Sequence, residues 1–251
     1  MKNIFNKIIN LISPEDIKCI VCDDELDHTT KHCMCKSCLD NMPTIKKPCI
    51  RCGAEIFDGG KVCIECKSDT RLFKQAIAPF NFCDKTVSLV YRFKYGAERY
   101  LAKYMAYFMI NCVVSNKIDF DIIIPVPLSD KRLKLRGFNQ AELLAKYIAQ
   151  DLDKPIELNS LIRSRDTLTQ THLSKQERKD NLKQAFDITD KSPIKGKNIL
   201  LVDDIFTTGA TSDEITKVLL DNGAKNVVVV TFAHAINKKE QSKTKNISKN
   251  N

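Results

Sequence analysis

Four Cys-x-x-Cys pairs stand in order within 48 residues: Cys19/Cys22, Cys35/Cys38, Cys49/Cys52 and Cys63/Cys66. Each pair can present two thiolates from one tight turn, and two such knuckles fill the tetrahedral four-cysteine shell of a structural zinc ion. Twelve residues separate Cys22 from Cys35 and ten separate Cys52 from Cys63, each enough for a short hairpin, so the spacing predicts two zinc ribbons in series. Gly53, directly after Cys52, permits the backbone reversal a knuckle needs. A shell filled by four cysteines has no open position for a substrate, so two zinc ions are expected to hold the fold and not to do chemistry. Cys33, His28 and His32 are spare donors. Cys33 could replace Cys35 in the first site, and the spacing also permits a cross-braced pairing of first with third and second with fourth knuckles.

Nine of the eleven cysteines lie between Cys19 and Cys66. That clustering divides the chain into a cysteine-rich module over residues 1–68 and a larger domain over 69–236. Hydrophobic residues make up 43% and charged residues 28%, which excludes a disordered or a membrane class. The opening MKNIFNKIINLIS lacks the apolar core and cleavage site of a secretory signal, and the apolar stretch from Leu101 to Val114 is broken by Lys103 and Asn111. No transmembrane segment is therefore expected, and the chain is placed in the cytoplasm, where paired thiols stay reduced and available for metal. Forty Lys and Arg against 31 Asp and Glu give a net charge of +9, all of it beyond residue 68. Part of that excess is the tail 237–251, where five lysines face Glu240 among polar residues that cannot build a core, and it is expected to be disordered. The rest suggests an anionic partner, phosphate or nucleic acid.

From Asn198 to Ala235 the order is strand, turn, helix, strand. The apolar run Ile199 to Val202 suits a buried parallel strand, Ile215, Val218 and Leu219 recur at helical spacing, and Gly223 stands where a helix stops. A ligand is then expected at the carboxyl end of the first strand. There the sequence places Asp203 and Asp204, followed by Thr207-Thr208-Gly209-Ala210-Thr211 just before the helix. Gly209 lets successive N–H groups turn inward and the helix N-terminus adds its positive dipole, a cradle for phosphate. Two adjacent carboxylates would repel phosphate, so they suit sugar hydroxyls or Mg²⁺. Together these groups fit a ribose 5-phosphate. A second strand, Ile122 to Ile124, ends at Pro125-Val126-Pro127, after which Lys131, Arg132, Lys134 and Arg136 form a basic segment able to hold a pyrophosphate. Gly137 then opens a helix.

The run ILLVDDIFTTGAT, Ile199 to Thr211, resembles the phosphoribosyl pyrophosphate (PRPP) motif of type I phosphoribosyltransferases. With the knuckles, the segment DIIIPVPL from Asp121, KRLKLRGFNQ from Lys131, and the polar stretch Arg163 to Phe186, the chain resembles the ComF family from roughly Cys19 to Ala235. That resemblance implies an α/β fold, the type I phosphoribosyltransferase fold with a parallel sheet, preceded by a small double zinc-ribbon module. It implies PRPP bound with Mg²⁺, a pyrophosphate loop that includes Pro127, Arg132, Lys134, Arg136 and Gly137, and a flexible loop closing over PRPP through Arg163, Gln170 and Arg178. It further implies a role in DNA uptake during natural competence, with single-stranded DNA or the uptake machinery as partner and peripheral association through such partners. The alternative is an active transferase moving the phosphoribosyl group to a nitrogen acceptor, for which no residue cluster marks an acceptor pocket. A third reading makes PRPP a signal that alters partner binding.

Two smaller features bear on these readings. Tyr91-Arg92-Phe93-Lys94-Tyr95 alternates aromatic and basic residues, a mixture suited to single-stranded nucleic acid. The helical recurrence of Val87, Val90 and Tyr91 favours a core-packed helix ending at Gly96 instead. His172 and His234 lack a paired carboxylate in sequence and are expected to be structural.

Overall fold

The computed structural model of the protein describes residues 18–26, 32–164 and 185–236. Two short helices, α1 (Lys36–Asp40) and α2 (Ile64–Ser68), begin directly after Cys35 and Cys63, whose extended backbone lets each knuckle run into a helical turn. Strands β1 (Gln75–Ile77) and β2 (Phe80–Phe82) follow, then helices α3 (Asp84–Tyr95) and α4 (Leu101–Ser115) and strand β3 (Ile122–Pro125). Helices α5 (Asp130–Arg136) and α6 (Gln140–Leu152) lead to β4 (Leu161–Arg163), β5 (Phe186–Ile188), β6 (Asn198–Phe206), α7 (Ala210–Asp221) and β7 (Asn226–Ala235).

The main sheet is parallel throughout, in the order β1, β7, β6, β3, with β2 pairing to the carboxyl-end stretch of β7. β4 and β5 form a separate antiparallel pair. Alternation along the central strands sorts their side chains between two cores. Leu200, Val202, Val228, Val230, Phe232 and Ile123 face one core, built with α3, α4 and α6 through Leu89, Phe93, Met105, Met109, Leu144 and Ile148. Ile199, Leu201, Val227, Val229, Ile122 and Ile124 face the other, closed by Ile215 and Leu219 of α7 and by Leu161 and Phe186. Ile199, Leu200, Leu201 and Val202 are fully buried. At about 1.5–3 kcal/mol each, those four side chains match the whole stability of an ordinary domain, so the strand can carry two carboxylates at its end without leaving the core.

Among the described residues, the cysteine-rich segment has no separate core. Cys19 and Cys38, with Ile20, Met34 and Met42, lie in the first core, whereas Cys49, Cys52, Cys63 and Cys66, with Ala54 and Ile56, lie in the second. The segment therefore straddles the β1–β2 edge of the sheet. The amide of Ala76 donates to the Arg51 carbonyl at 2.7 Å, and a Cβ on Gly53, which has a φ of +76°, would stand 2.7 Å from the Ala76 carbonyl oxygen. Only glycine lets this knuckle close so tightly on β1.

Two expectations are revised. The basic stretch after β3 is the helix α5, started after extended Ser129 and stopped by Gly137 in the left-handed conformation, with Asp130 in its first turn and Lys134 and Arg136 in its last, the arrangement the helix dipole favours. Gly137 thus closes α5, and α6 begins at Gln140, capped by Asn139, whose side chain accepts from the Ala141 amide at 3.1 Å. In α3, Val90 is buried as expected but Val87 and Tyr91 point outward, because Thr86, Leu89, Val90 and Phe93 define the apolar face. Among the described residues no helix is long and apolar enough to cross a membrane.

Candidate functional site

The eight paired cysteines fall into two groups, Cys19, Cys22, Cys35 and Cys38, and Cys49, Cys52, Cys63 and Cys66, with the ligand atoms of each group within 4.8 Å of one another. The pairing is in series and not cross-braced. Cys33 lies apart from the first group, its thiol donating to the Lys18 carbonyl at 3.3 Å. A tetrahedron of metal–sulfur bonds near 2.3 Å has edges of about 3.8 Å. Cys22 and Cys35 sulfurs are 3.7 Å apart and those of Cys52 and Cys63 are 3.6 Å apart, so both groups have the dimensions of a four-thiolate metal shell. Hydrogen bonds from Cys52, Cys63 and Cys66 push the Cys49 thiol far below its ordinary range while Cys52 is driven far above its own. Four thiols packed this closely cannot all ionise alone, and a bound cation is what would let them.

The second site lies where β6 ends. A cavity of about 160 Å³ brings Pro127, Arg132, Arg136, Arg163, Asp203, Asp204, Thr207 and Thr211 together, along with Lys94 and Gln140. The Lys94 ammonium is 2.9 Å from an Asp204 carboxylate oxygen, and the Asp203 carboxyl accepts from the Asp204 amide at 2.8 Å. Removal from water, together with the neighbouring Asp204 charge, pushes the Asp203 carboxyl up to about 7, against the pull of Lys94 and Arg136. Arg136 donates to the Gln140 side chain at 2.9 Å. Its Nε and the Gln140 amide nitrogen are buried donors with no hydrogen-bond partner among the described residues. One cavity thus offers carboxylates for hydroxyls or a divalent cation and spare donors for an anion.

Gly209 adopts a φ of +78° and caps α7, while the Ala210 amide donates to the Thr208 hydroxyl at 3.4 Å. Thr207 and Thr211 face the cavity, and Gly209 and Ala210 are buried behind them. Lys134 is exposed on α5 and does not line the cavity. Gln170, Arg178, His172 and the tail 237–251 lie outside the described residues. His234 is buried and stacked on Phe206 at 4.6 Å, the structural placement expected of it.

Sequence reasoning missed Lys94 and Gln140 as site residues. Lys94 belongs to a Lys-Tyr-Gly run and Gln140 ends the GFNQ run, but only the fold carries α3 over the end of β6. Arg92 serves architecture: it donates to Glu98 at 2.8 and 2.6 Å and to the Ile20 carbonyl at 2.6 Å, and the Glu98 carboxylate raises its pKa further above its ordinary value.

A parallel sheet whose central strand ends in two carboxylates, followed by a threonine-glycine turn capping a helix, defines a type I phosphoribosyltransferase domain. Residues 139–250 match the family described as phosphoribosyl transferase domain. The chain belongs to the competence protein F family: it is 30% identical to competence protein F of Haemophilus influenzae over 88% of this chain and 98% of that one. It is also 32% identical to DNA utilization protein YhgH of Salmonella typhimurium, covering 72% of this chain and 81% of that protein. Competence protein ComFC of Bacillus subtilis is 28% identical, covering 85% and 82% of the two chains.

Proposed function

We propose that this protein binds PRPP with Mg²⁺ in the cavity at the end of β6 and acts in DNA uptake during natural competence, with single-stranded DNA or an uptake protein held beside that cavity. The observation that carries PRPP is the meeting of Asp203 and Asp204 with Lys94, Arg132, Arg136 and the Thr207–Thr211 turn in one cavity. The 5-phosphate rests on the backbone of Thr207–Thr211, which supplies N–H donors at a helix N-terminus. Asp203 and Asp204 accept the ribose hydroxyls, and Pro127, Arg132, Arg136 and Gly137 frame the pyrophosphate. Mg²⁺ neutralises part of the pyrophosphate charge. Arg163, whose guanidinium lies 5.3 Å over the Phe186 ring, lines the cavity from the end of β4 and contacts the bound PRPP. Lys134 adds to the surface charge around the entrance.

Each cysteine group takes one zinc ion, because four thiolates suit its tetrahedral preference. In this reading residues 1–68 form the metal module, 69–236 the phosphoribosyltransferase domain and 237–251 a basic tail, all in a reducing cytoplasm.

Titration of the protein with Mg²⁺ and PRPP by calorimetry tests the pocket. The pH response has a definite sign: a carboxyl raised to about 7 is ionised above that pH and protonated below it. Hydroxyl recognition through Asp203 is therefore expected at pH 8 and weakens as pH falls from 7 to 6, about tenfold per unit once protonation dominates. An affinity unchanged between pH 8 and 6 would remove Asp203 from the contact.

The DNA half rests on the names of the relatives and on one surface feature. Tyr91 and Tyr95 are 65% and 53% exposed on successive turns of α3, with ring centroids 5.0 Å apart, and Arg136 lies 5.3 Å over Tyr95. This aromatic and cationic ledge adjoins the PRPP cavity through Lys94 and Arg136. Base stacking contributes about 1–3 kcal/mol per base, so Tyr91→Ala should weaken single-stranded DNA binding at least fivefold in anisotropy titrations of residues 1–236, with a steep salt dependence. Absence of a single-strand preference in that truncated protein would shift the partner to an uptake protein. A transferase reading is favoured by the unpaired donors of Arg136 and Gln140, which suit a departing pyrophosphate. Pyrophosphate release across a panel of nitrogen acceptors tests it.

A further inference from the structure

Arg71 is as buried as a core leucine, its side chain 2% exposed, and it stands between the second cysteine group and the phosphate turn. Its Nη1 donates to Asp213 in the first turn of α7 at 2.9 Å, and the amide of the next residue, Leu72, donates to the other Asp213 oxygen at 3.1 Å. On the far side, its Nη2 is 3.8 Å from Glu65, which lies between Cys63 and Cys66 in α2. Burial opposes the guanidinium charge, but Asp213 and the Cys66 sulfur hold it in place. The contact with the turn is equally close: a Cβ on Gly209 would meet the Phe206 ring at 2.6 Å and Arg71 Nη1 at 3.0 Å. Cys49, Cys52, Cys63, Cys66, Phe206 and Ala210 share one core.

We propose that Arg71 is a positioning residue that joins the second cysteine site to the phosphate turn, so that occupancy of the one by metal and of the other by PRPP favour each other. The inference rests on the PRPP reading above. Four thiolates around a divalent ion carry two net negative charges, and Arg71 is the buried cation beside them. When the metal leaves, nothing draws the four sulfurs together within 4.8 Å and the Cys63–Cys66 knuckle loosens. Arg71 then loses one of its two anchors, α2 loses the knuckle that orders Glu65, and the Arg71–Asp213 link no longer fixes the first turn of α7. In the other direction, a phosphate held by Thr207–Thr211 fixes Gly209 and the start of α7, presses Arg71 against Cys66 and slows opening of that knuckle. Coupling of this kind is reciprocal by thermodynamic necessity.

The test follows zinc leaving the zinc-loaded full-length protein in the presence of a chromogenic chelator, with and without saturating PRPP and Mg²⁺. Two release phases are expected, and PRPP should slow one of them about fivefold or more while leaving the other as an internal control. In Arg71→Met, PRPP affinity by calorimetry should fall about tenfold and the effect of PRPP on zinc release should vanish, whereas Arg71→Lys should restore part of both. Asp213→Asn, which keeps the shape of the partner and removes its charge, should give the same loss of coupling if Arg71→Met does not fold. PRPP binding to the wild type with both release phases unchanged would overturn the coupling and leave the PRPP reading standing. Full-strength PRPP binding by folded Arg71→Met or Asp213→Asn would also overturn it. No PRPP binding to the wild type would overturn the PRPP reading itself.

Discussion

Replacing Cys52 with serine is expected to unfold both the metal module and the phosphoribosyltransferase domain. A structural zinc site contributes about 10–16 kcal/mol of binding free energy to folding, which equals or exceeds the roughly 5–15 kcal/mol that stabilises a whole domain. Cys52 is buried in the same core as Ile122, Ile124, Ile199, Leu201, Val227 and Val229, the side chains that hold β3, β6 and β7 against α7. A knuckle that opens there exposes the face of the sheet it covers, and the melting of one part propagates to the other. Circular dichroism of Cys52→Ser should lose helix and strand signal together, and zinc by elemental analysis should fall from two per chain toward none. Retention of native helix and strand signal with one zinc lost would show that the module melts alone.

Asp204→Ala should lower PRPP affinity about a hundredfold, measured by calorimetry in the presence of Mg²⁺. A carboxylate that accepts hydroxyl hydrogen bonds in a largely buried site contributes about 1.5–3 kcal/mol through those bonds. Its loss also strands Lys94, whose ammonium sits 2.9 Å from it, beside an Asp203 relieved of its neighbour's repulsion. Lys94 and Asp203 can then pair with each other, which withdraws the second carboxylate from the ribose. Asp204→Asn should fall between wild type and alanine, since the amide keeps one acceptor oxygen but not the charge. A silent Asp204→Ala titration would place the ribose elsewhere.

Both expected results also show where sequence and fold divide the work. The two cysteine clusters, the β6–α7 turn and the parallel sheet were legible because each is written over a short span: a two-residue gap between cysteines, an apolar run closed by Asp203 and Asp204, a glycine before a helix. Local chemistry fixes such features, and the described structure contains them with nearly the expected boundaries. The pairing of knuckles was legible only as alternatives, because the spacings allow the first knuckle to join the second or the third, and packing against opposite faces of one sheet decided for series.

Other features had no local signal. Tyr91 and Val90 are neighbours in one helix, and only the packing of α3 against β2 and α4 buries one and exposes the other. The charge run from Lys131 to Arg136 was legible as a basic segment but not as a helix that turns Arg132 and Arg136 toward the cavity and Lys134 outward. Lys94 meets Asp204, and Arg71 meets Asp213, across stretches of chain whose separation is bridged only after the strands take their register. The sequence by itself determined which groups the chain carries: clustered thiols able to hold metal, and an acid pair followed by a threonine-glycine turn at the start of a helix. The tertiary structure decided which side chains share a cavity and which share a core, because contacts between residues distant in sequence depend on how the apolar faces of β6 and β7 are covered.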